Sequence, residues 1–210
     1  MGARVLYNRL MLSIAIQAGG ESRRMGQNKA LMPFAGKPLV QYLAARLAGA
    51  PGELFVTANQ PELFGFLGLP VYPDAIPGRG TLGGLLTALR NARYPLLAAV
   101  ACDMPFASLA LLRHQSQLLL DDNLDLAVPA TTLGLEPLHA VYRVAACLPV
   151  VEAAIASGKW KLTGWFERVK VHTLAVTEWE SYDPDHVVFT NLNTPDDFLK
   201  AEQYAQGHST

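Results

Sequence analysis

Leu96-Leu97-Ala98-Ala99-Val100-Ala101-Cys102-Asp103-Met104-Pro105 decides the fold class. The apolar part is too short for a helix and fits a strand buried on both faces, as in the middle of a parallel sheet. It ends at an acid, Asp103, followed closely by Pro105. Outward from this run the same pattern repeats. Short apolar runs at 12–16, 54–57, 71–72, 126–128, 138–142, 169–176 and 187–191 read as further strands. Segments at 39–47, 61–66, 82–92, 109–120 and 144–157 have helical spacing. Ser108 is placed to cap one helix and Gly158 to end another. Thr194-Pro195-Asp196-Asp197 opens a last helix: Thr194 suits the cap, Pro195 the first helical position, and the two acids face the positive end of the helix dipole.

Strands alternating with helices imply an α/β layer fold around a mostly parallel sheet. In such folds ligands bind beyond the carboxyl ends of the strands, where strand order reverses. The 210 residues suit one domain, read as 11–206, after a leader at 1–10. Half the residues are hydrophobic, 17% are charged and the net charge is −1, which argues for a well-buried core and against a nucleic-acid surface. Cys102 and Cys147 lie far apart with no metal-ligand spacing, so both read as reduced thiols of a cytoplasmic protein. No apolar run is long enough to span a bilayer.

Three segments at strand ends carry candidate chemistry. Gln17-Ala18-Gly19-Gly20 leads into Arg23, Arg24 and Asn28-Lys29. Adjacent glycines allow a sharp turn with close backbone approach, and exposed N–H groups beside cations make a phosphate cradle. A glycine turn with solvated cations is the plainer alternative, and the spacing is neither a P-loop nor GxGxxG. Asp103 reads as a divalent-cation ligand or as a turn residue. Asn191 and Asn193 would share a face if the last strand continued that far, and either suits a metal, a ribose hydroxyl or a helix cap. The Gly- and Pro-rich stretch at 73–81 reads as a binding loop.

Together, Ala18-Gly19-Gly20, Arg24-Met25-Gly26, Lys29-Ala30-Leu31, Gly36-Lys37-Pro38-Leu39, Cys102-Asp103-Met104-Pro105 and Asn191-Leu192-Asn193-Thr194-Pro195 resemble the molybdenum-cofactor guanylyltransferase family, over about residues 12–204. The resemblance implies a Rossmann-like three-layer nucleotidyltransferase fold. It implies transfer of GMP from GTP to molybdopterin cofactor with Mg2+ as cofactor. Other cofactor-biosynthesis proteins or apo-molybdoenzymes are the further partners it suggests. Carried over by position, it assigns nucleotide contacts to Gln17, Ala18, Gly19, Gly20, Lys29, Thr57, Asn59, Asp74, Gly84 and Asp103. Arg24, Lys29 and Asp103 are assigned to catalysis, and Asp103 with Asn193 to the metal.

Two positions depart from the family pattern: Gln17 stands where Leu is usual, and Asn28 where an acid commonly precedes the lysine. The stretch 77–84 resembles the guanine loop but is about two residues longer, which leaves a cytidylyltransferase or a sugar-phosphate nucleotidyltransferase as the nearest rivals. A nucleotide-binding or cofactor-delivery protein without catalysis is a third reading. Glu136 and His139 are candidates for holding the pterin, with a structural histidine the expectation for His139. Trp160 and Trp165 are expected to serve packing, and Arg143 and Lys161 to be solvated charges.

Overall fold

The computed structural model describes residues 11–19 and 28–208. The expected leader, Gly20, Arg23 and Arg24 lie outside the described residues. The principal strands are β1 (Leu12–Gln17), β4 (Gly52–Ala58), β5 (Val71–Pro73), β6 (Leu96–Ala101), β7 (Leu126–Thr131), β9 (His139–Arg143) and β10 (Val171–Leu174). Two small hairpin pieces, β2 (Pro33–Phe34) with β3 (Lys37–Pro38) and β8 (Gly134–Leu135) against β7, complete the set. The helices are α1 (Leu39–Leu47), α2 (Gly80–Asn91), α3 (Leu109–Asp121), α4 (Val144–Ala156), the single turn α5 (Val176–Trp179) and α6 (Pro195–Gly207).

The main sheet runs β10-β7-β9-β6-β1-β4-β5. All its pairings are parallel except those of β9, which runs antiparallel to both β6 and β7. Alternate residues of the central strands feed opposite cores. Ile14, Ile16, Leu96, Ala98 and Val100 enter one cluster with α1, α3 and α6. Ala15, Leu97 and Ala99 enter the other with α2 and α4. Strands buried on both faces favour apolar residues on both sides: β1 and β6 are buried throughout, and β6 is wholly apolar. This is the three-layer, Rossmann-like α/β fold.

Helix ends follow their local chemistry. The Ser108 hydroxyl accepts from the Leu111 amide at 3.2 Å and opens α3. At α6, the Thr194 hydroxyl accepts from the Asp197 amide at 3.2 Å while the Asp197 carboxylate accepts from the Thr194 amide at 2.7 Å, a reciprocal capping box.

The expected strand at 187–191 is absent, and Asp183 explains why. Its carboxylate, 2% exposed, accepts from the amides of Val187 at 2.8 Å and Val188 at 3.1 Å. His186 holds a left-handed φ of 55°. Those amides are thus spent on a local turn and the chain cannot extend into a ladder. The apolar residues still serve the core: Val188 and Leu192 are buried in the α1/α3/α6 cluster. Among the described residues, no helix is long and apolar enough to cross a membrane.

Candidate active site

Strand order reverses at β1: the chain moves outward through β4 and β5, then returns to add β6 on the other side. The crevice rule therefore points to the carboxyl ends of β1 and β6. These ends are joined, since the Cys102 amide donates to the Gln17 carbonyl at 3.1 Å. Ala18 follows β1 and donates its amide to the Thr57 carbonyl at 2.8 Å. Asp103 follows β6, and its carbonyl accepts from the Leu192 amide at 3.0 Å, which anchors the segment leading to α6 across the same edge.

Three side chains distant in sequence converge there. The Lys29 ammonium lies 2.9 Å from a carboxylate oxygen of Asp103 and 2.9 Å from the side-chain oxygen of Asn193. Each is held by its own backbone. Lys29 starts a short 3-10 turn capped by Asn28, whose side-chain oxygen accepts from the Ala30 amide at 3.1 Å. Asn28 therefore performs the capping that an acid would, and its departure from the family pattern leaves Lys29 positioned. Asn193 precedes the capping box, and its amide donates to the Asp197 carboxylate at 2.9 Å. Those backbone donors, led by Asn193, hold the Asp197 carboxyl below its usual range. The sequence places Asp197 at the positive end of this helix, and the structure adds its carboxylate's bonds to the Asn193 and Thr194 amides. Asn191 turns away and donates to its neighbour, the Phe189 carbonyl, at 3.1 Å. With 187–191 irregular, the two asparagines do not share a strand face.

A second group lies beyond β4 and β5. A Cβ built on Gly19 would stand 2.9 Å from an Asp74 carboxylate oxygen and 3.6 Å from the Asn59 side-chain nitrogen. Gly19, Asn59 and Asp74 therefore meet, and glycine is what permits it. Burial raises the Asp74 carboxyl above its usual range, and one Asp74 oxygen and the Thr57 hydroxyl are buried with no hydrogen-bond partner among the described residues. Such groups are costly to leave unpaired. Gly84 is buried on the second turn of α2, and the carboxamide of Gln17 lies against it. The side chain of Gln17, expected among the nucleotide contacts, is thus turned from the crevice toward α2.

Glu136 lies just before β9. Because β9 runs antiparallel, its start lies at the same sheet edge, where Leu138 accepts the Ala101 amide at 2.9 Å. Burial raises the Glu136 carboxyl, which accepts from the Thr131 hydroxyl at 3.2 Å. His139 is structural: its ring is fully buried and its Nε2 accepts from the Ser108 amide at 3.0 Å. Burial lowers it to about 4. Trp165 is buried against Tyr142 and Phe166. Arg143 donates to the carbonyls of Leu119 and Leu124 rather than standing free in solvent.

An oxygen pair already holding a cation suits a hard divalent ion that keeps waters and substrate phosphates as its other ligands. Asp103 and Asn193 are such a pair. The described residues contain no cluster of three or more His, Cys, Asp or Glu able to hold a metal alone.

The family model described as "MobA-like NTP transferase domain" matches residues 14–171. The chain belongs to this family. The MobA-like match runs from within β1 to the first residue of β10, and so includes every site segment except that carrying Asn193. A relative from Carboxydothermus hydrogenoformans, named "Probable molybdenum cofactor guanylyltransferase", is 36% identical over 90% of this chain and 94% of its own. The "Molybdenum cofactor guanylyltransferase" of Desulfosudis oleivorans is 31% identical, covering 89% and 92%. The crystal structure of molybdopterin-guanine dinucleotide biosynthesis protein A from Archaeoglobus fulgidus superposes with a TM-score of 0.82 at 27% identity, over 93% of this chain and 99% of that one.

Proposed function

We propose that this MobA-like transferase moves GMP from GTP to the phosphate monoester of molybdenum-bearing molybdopterin in the cytoplasm, releasing pyrophosphate. The observation that carries the reading is the convergence of Lys29, Asp103 and Asn193 at the strand switch point, beside Gly19, Asn59 and Asp74. The kinship with named guanylyltransferases supplies the substrates.

A phosphate oxygen of the acceptor attacks the α-phosphorus of GTP, and the bond from that phosphorus to the bridging oxygen breaks. Both reactants are polyanions, so the site must offset charge and align them. Magnesium held by Asp103 and Asn193 would supply charge neutralisation to the phosphates. Lys29, drawn from its present partners, stabilises the charge developing on the leaving pyrophosphate. Arg24 is assigned the same task. Gly19 would offer its amide to the phosphate tail, a task that the family resemblance also assigns to Gly20. Thr57, Asn59 and Asp74 take the nucleoside, and the buried oxygen of Asp74, without a partner among the described residues, is an acceptor for its donors. Apo-molybdoenzymes or other cofactor-biosynthesis proteins would receive the product.

The reading is tested by separating the products of GTP and molybdenum cofactor incubated with the protein. Formation of the guanine dinucleotide with pyrophosphate supports it. A cytosine dinucleotide formed faster from CTP would reassign the base.

A further inference from the structure

Gln17 ends β1 immediately before the turn at Ala18 and Gly19, and its side chain is 8% exposed. With the carboxamide oriented so that both of its ends are satisfied, its nitrogen donates to the Thr81 carbonyl at 3.2 Å and its oxygen accepts from the Leu85 amide at 3.1 Å. Those two backbone groups are separated by four residues, the spacing an α-helix pairs internally. A side chain from the sheet is thereby stitched to the start of α2. Gly84 lies beneath the stitch. A Cβ there would stand 2.8 Å from the end of the carboxamide and 3.1 Å from its carbon. Any other residue at 84 would displace Gln17.

The same helix start carries the loop after β5. The Thr87 hydroxyl accepts from the Ala75 amide at 2.8 Å and donates to the Gly83 carbonyl at 3.0 Å. A Cβ on Gly83 would stand 3.2 Å from the Ile76 carbonyl. Arg79 lies 4.7 Å over the Trp160 ring. Ala75, Ile76 and Arg79 therefore rest on α2, and α2 is fixed to the phosphate-side strand through Gln17.

The geometry points to Gln17 as a positioning residue: with Gly84 beneath it, it sets the spacing between the turn at 18–19 and the loop at 74–81, and through that spacing the preference among nucleotide bases. The assignment rests on the nucleotidyltransferase reading, because one nucleotide must span both segments. The uncharged carboxamide provides a donor and an acceptor on two separate atoms, one for each backbone group. Leucine would fill the volume but offers neither group. Glutamate would set a carboxylate against the Thr81 carbonyl.

Gln17→Leu, Gln17→Glu, Gly84→Ala and the Gln17→Leu/Gly84→Ala double variant test it, each checked for folding by circular dichroism. In Gln17→Leu the KM for the preferred nucleotide should rise about tenfold while kcat changes less than about threefold, the pattern of lost ground-state positioning. The ratio of kcat/KM between the preferred base and the next best should fall by about the same factor. The double variant should be little worse than either single one, because the stitch is lost once. The Leu85 amide should exchange hydrogen faster in each variant. Unchanged KM and base ratio in a folded Gln17 variant overturn the assignment. So does an equal loss of kcat and kcat/KM, which would mark a transition-state contact. Gln17→Glu or Gly84→Ala carries the test if the leucine variant does not fold. The ratio is taken against whichever base the wild-type protein prefers, so a preference for CTP would defeat the guanylyl reading and leave this test readable. For a protein without turnover, calorimetric nucleotide affinities replace KM.

Discussion

The Lys29 ammonium lies 2.9 Å from the Asp103 carboxylate, the group proposed to hold a metal. Asn193 binds the same ammonium through its side-chain oxygen. One cationic group thus holds together the two oxygens proposed for another. Lys29 and a divalent cation should compete for them. Lys29→Met is expected to bind Mn2+ about tenfold more tightly than the wild type without nucleotide, a gain of about 1.4 kcal/mol. Paramagnetic titration of free Mn2+ reads this directly. Equal affinities would show that Lys29 does not guard the pair.

The same residue should serve catalysis once it leaves that position. Lys29→Ala is expected to slow pyrophosphate release by about a hundredfold, the scale of one lost electrostatic stabiliser, while the fold survives. Unchanged turnover would remove Lys29 from the mechanism.

Asn193 and Asn191 make a matched pair for a third experiment. Asn193 faces Lys29, whereas Asn191 is bonded to the Phe189 carbonyl. Asn193→Ala should lower turnover by about tenfold or more, and Asn191→Ala by less than about twofold, since only the first removes a group from the charged centre. Equal losses would contradict the geometry.

The sequence made the central strands legible because burial on two faces leaves a short, wholly apolar run with nothing else to be. Leu96–Ala101 forms β6 as expected. Strand direction was not legible: the apolar content of β9 is the same whether it runs parallel or antiparallel. The run at 187–191 misled because its apolar residues are core residues, and the deciding group, the Asp183 carboxylate, lies outside the run. The β2–β3 hairpin was missed because its turn uses Ala35 and Gly36, at φ 49° and 77°, in place of the usual Asn-Gly. At the site, residue types and order pointed to the switch point, but side-chain direction was beyond reach. Gln17 follows the strand register and turns to α2, and nothing in its neighbours announces that. Thr87, a hydroxyl set among the apolar Leu85, Leu86, Ala88 and Leu89, is the readable sign that α2 holds the adjoining loop.

Asp183 gives a stability prediction. Its carboxylate satisfies two amides from within the core edge. Asp183→Ala leaves both unpaired and should cost about 3 kcal/mol. For a chain of this length that lowers the melting temperature by roughly 6–12 °C. A shift within a degree of wild type would refute the role given to this turn.

His139 sets the acid limb of stability. Burial lowers its pKa from 6.5 to about 4, so the unfolded chain binds a proton that the folded ring refuses. The contribution is fully present above 6.5 and is lost as pH falls through about 4. It amounts to about 3 kcal/mol across that window, by proton linkage. His139→Gln keeps an acceptor for the Ser108 amide but cannot titrate, so its stability should fall less steeply between those values. Parallel urea midpoints for the two proteins would contradict the assignment.

The central claim is the reaction itself, and the most direct measurement is the product formed from GTP and authentic molybdenum cofactor in the presence of Mg2+. The account predicts guanine dinucleotide and pyrophosphate in equal amounts, abolished by chelation and at least about tenfold slower with CTP, a difference of about 1.4 kcal/mol. Tight binding of GTP with no dinucleotide formed, or faster formation of the cytosine dinucleotide, would contradict it.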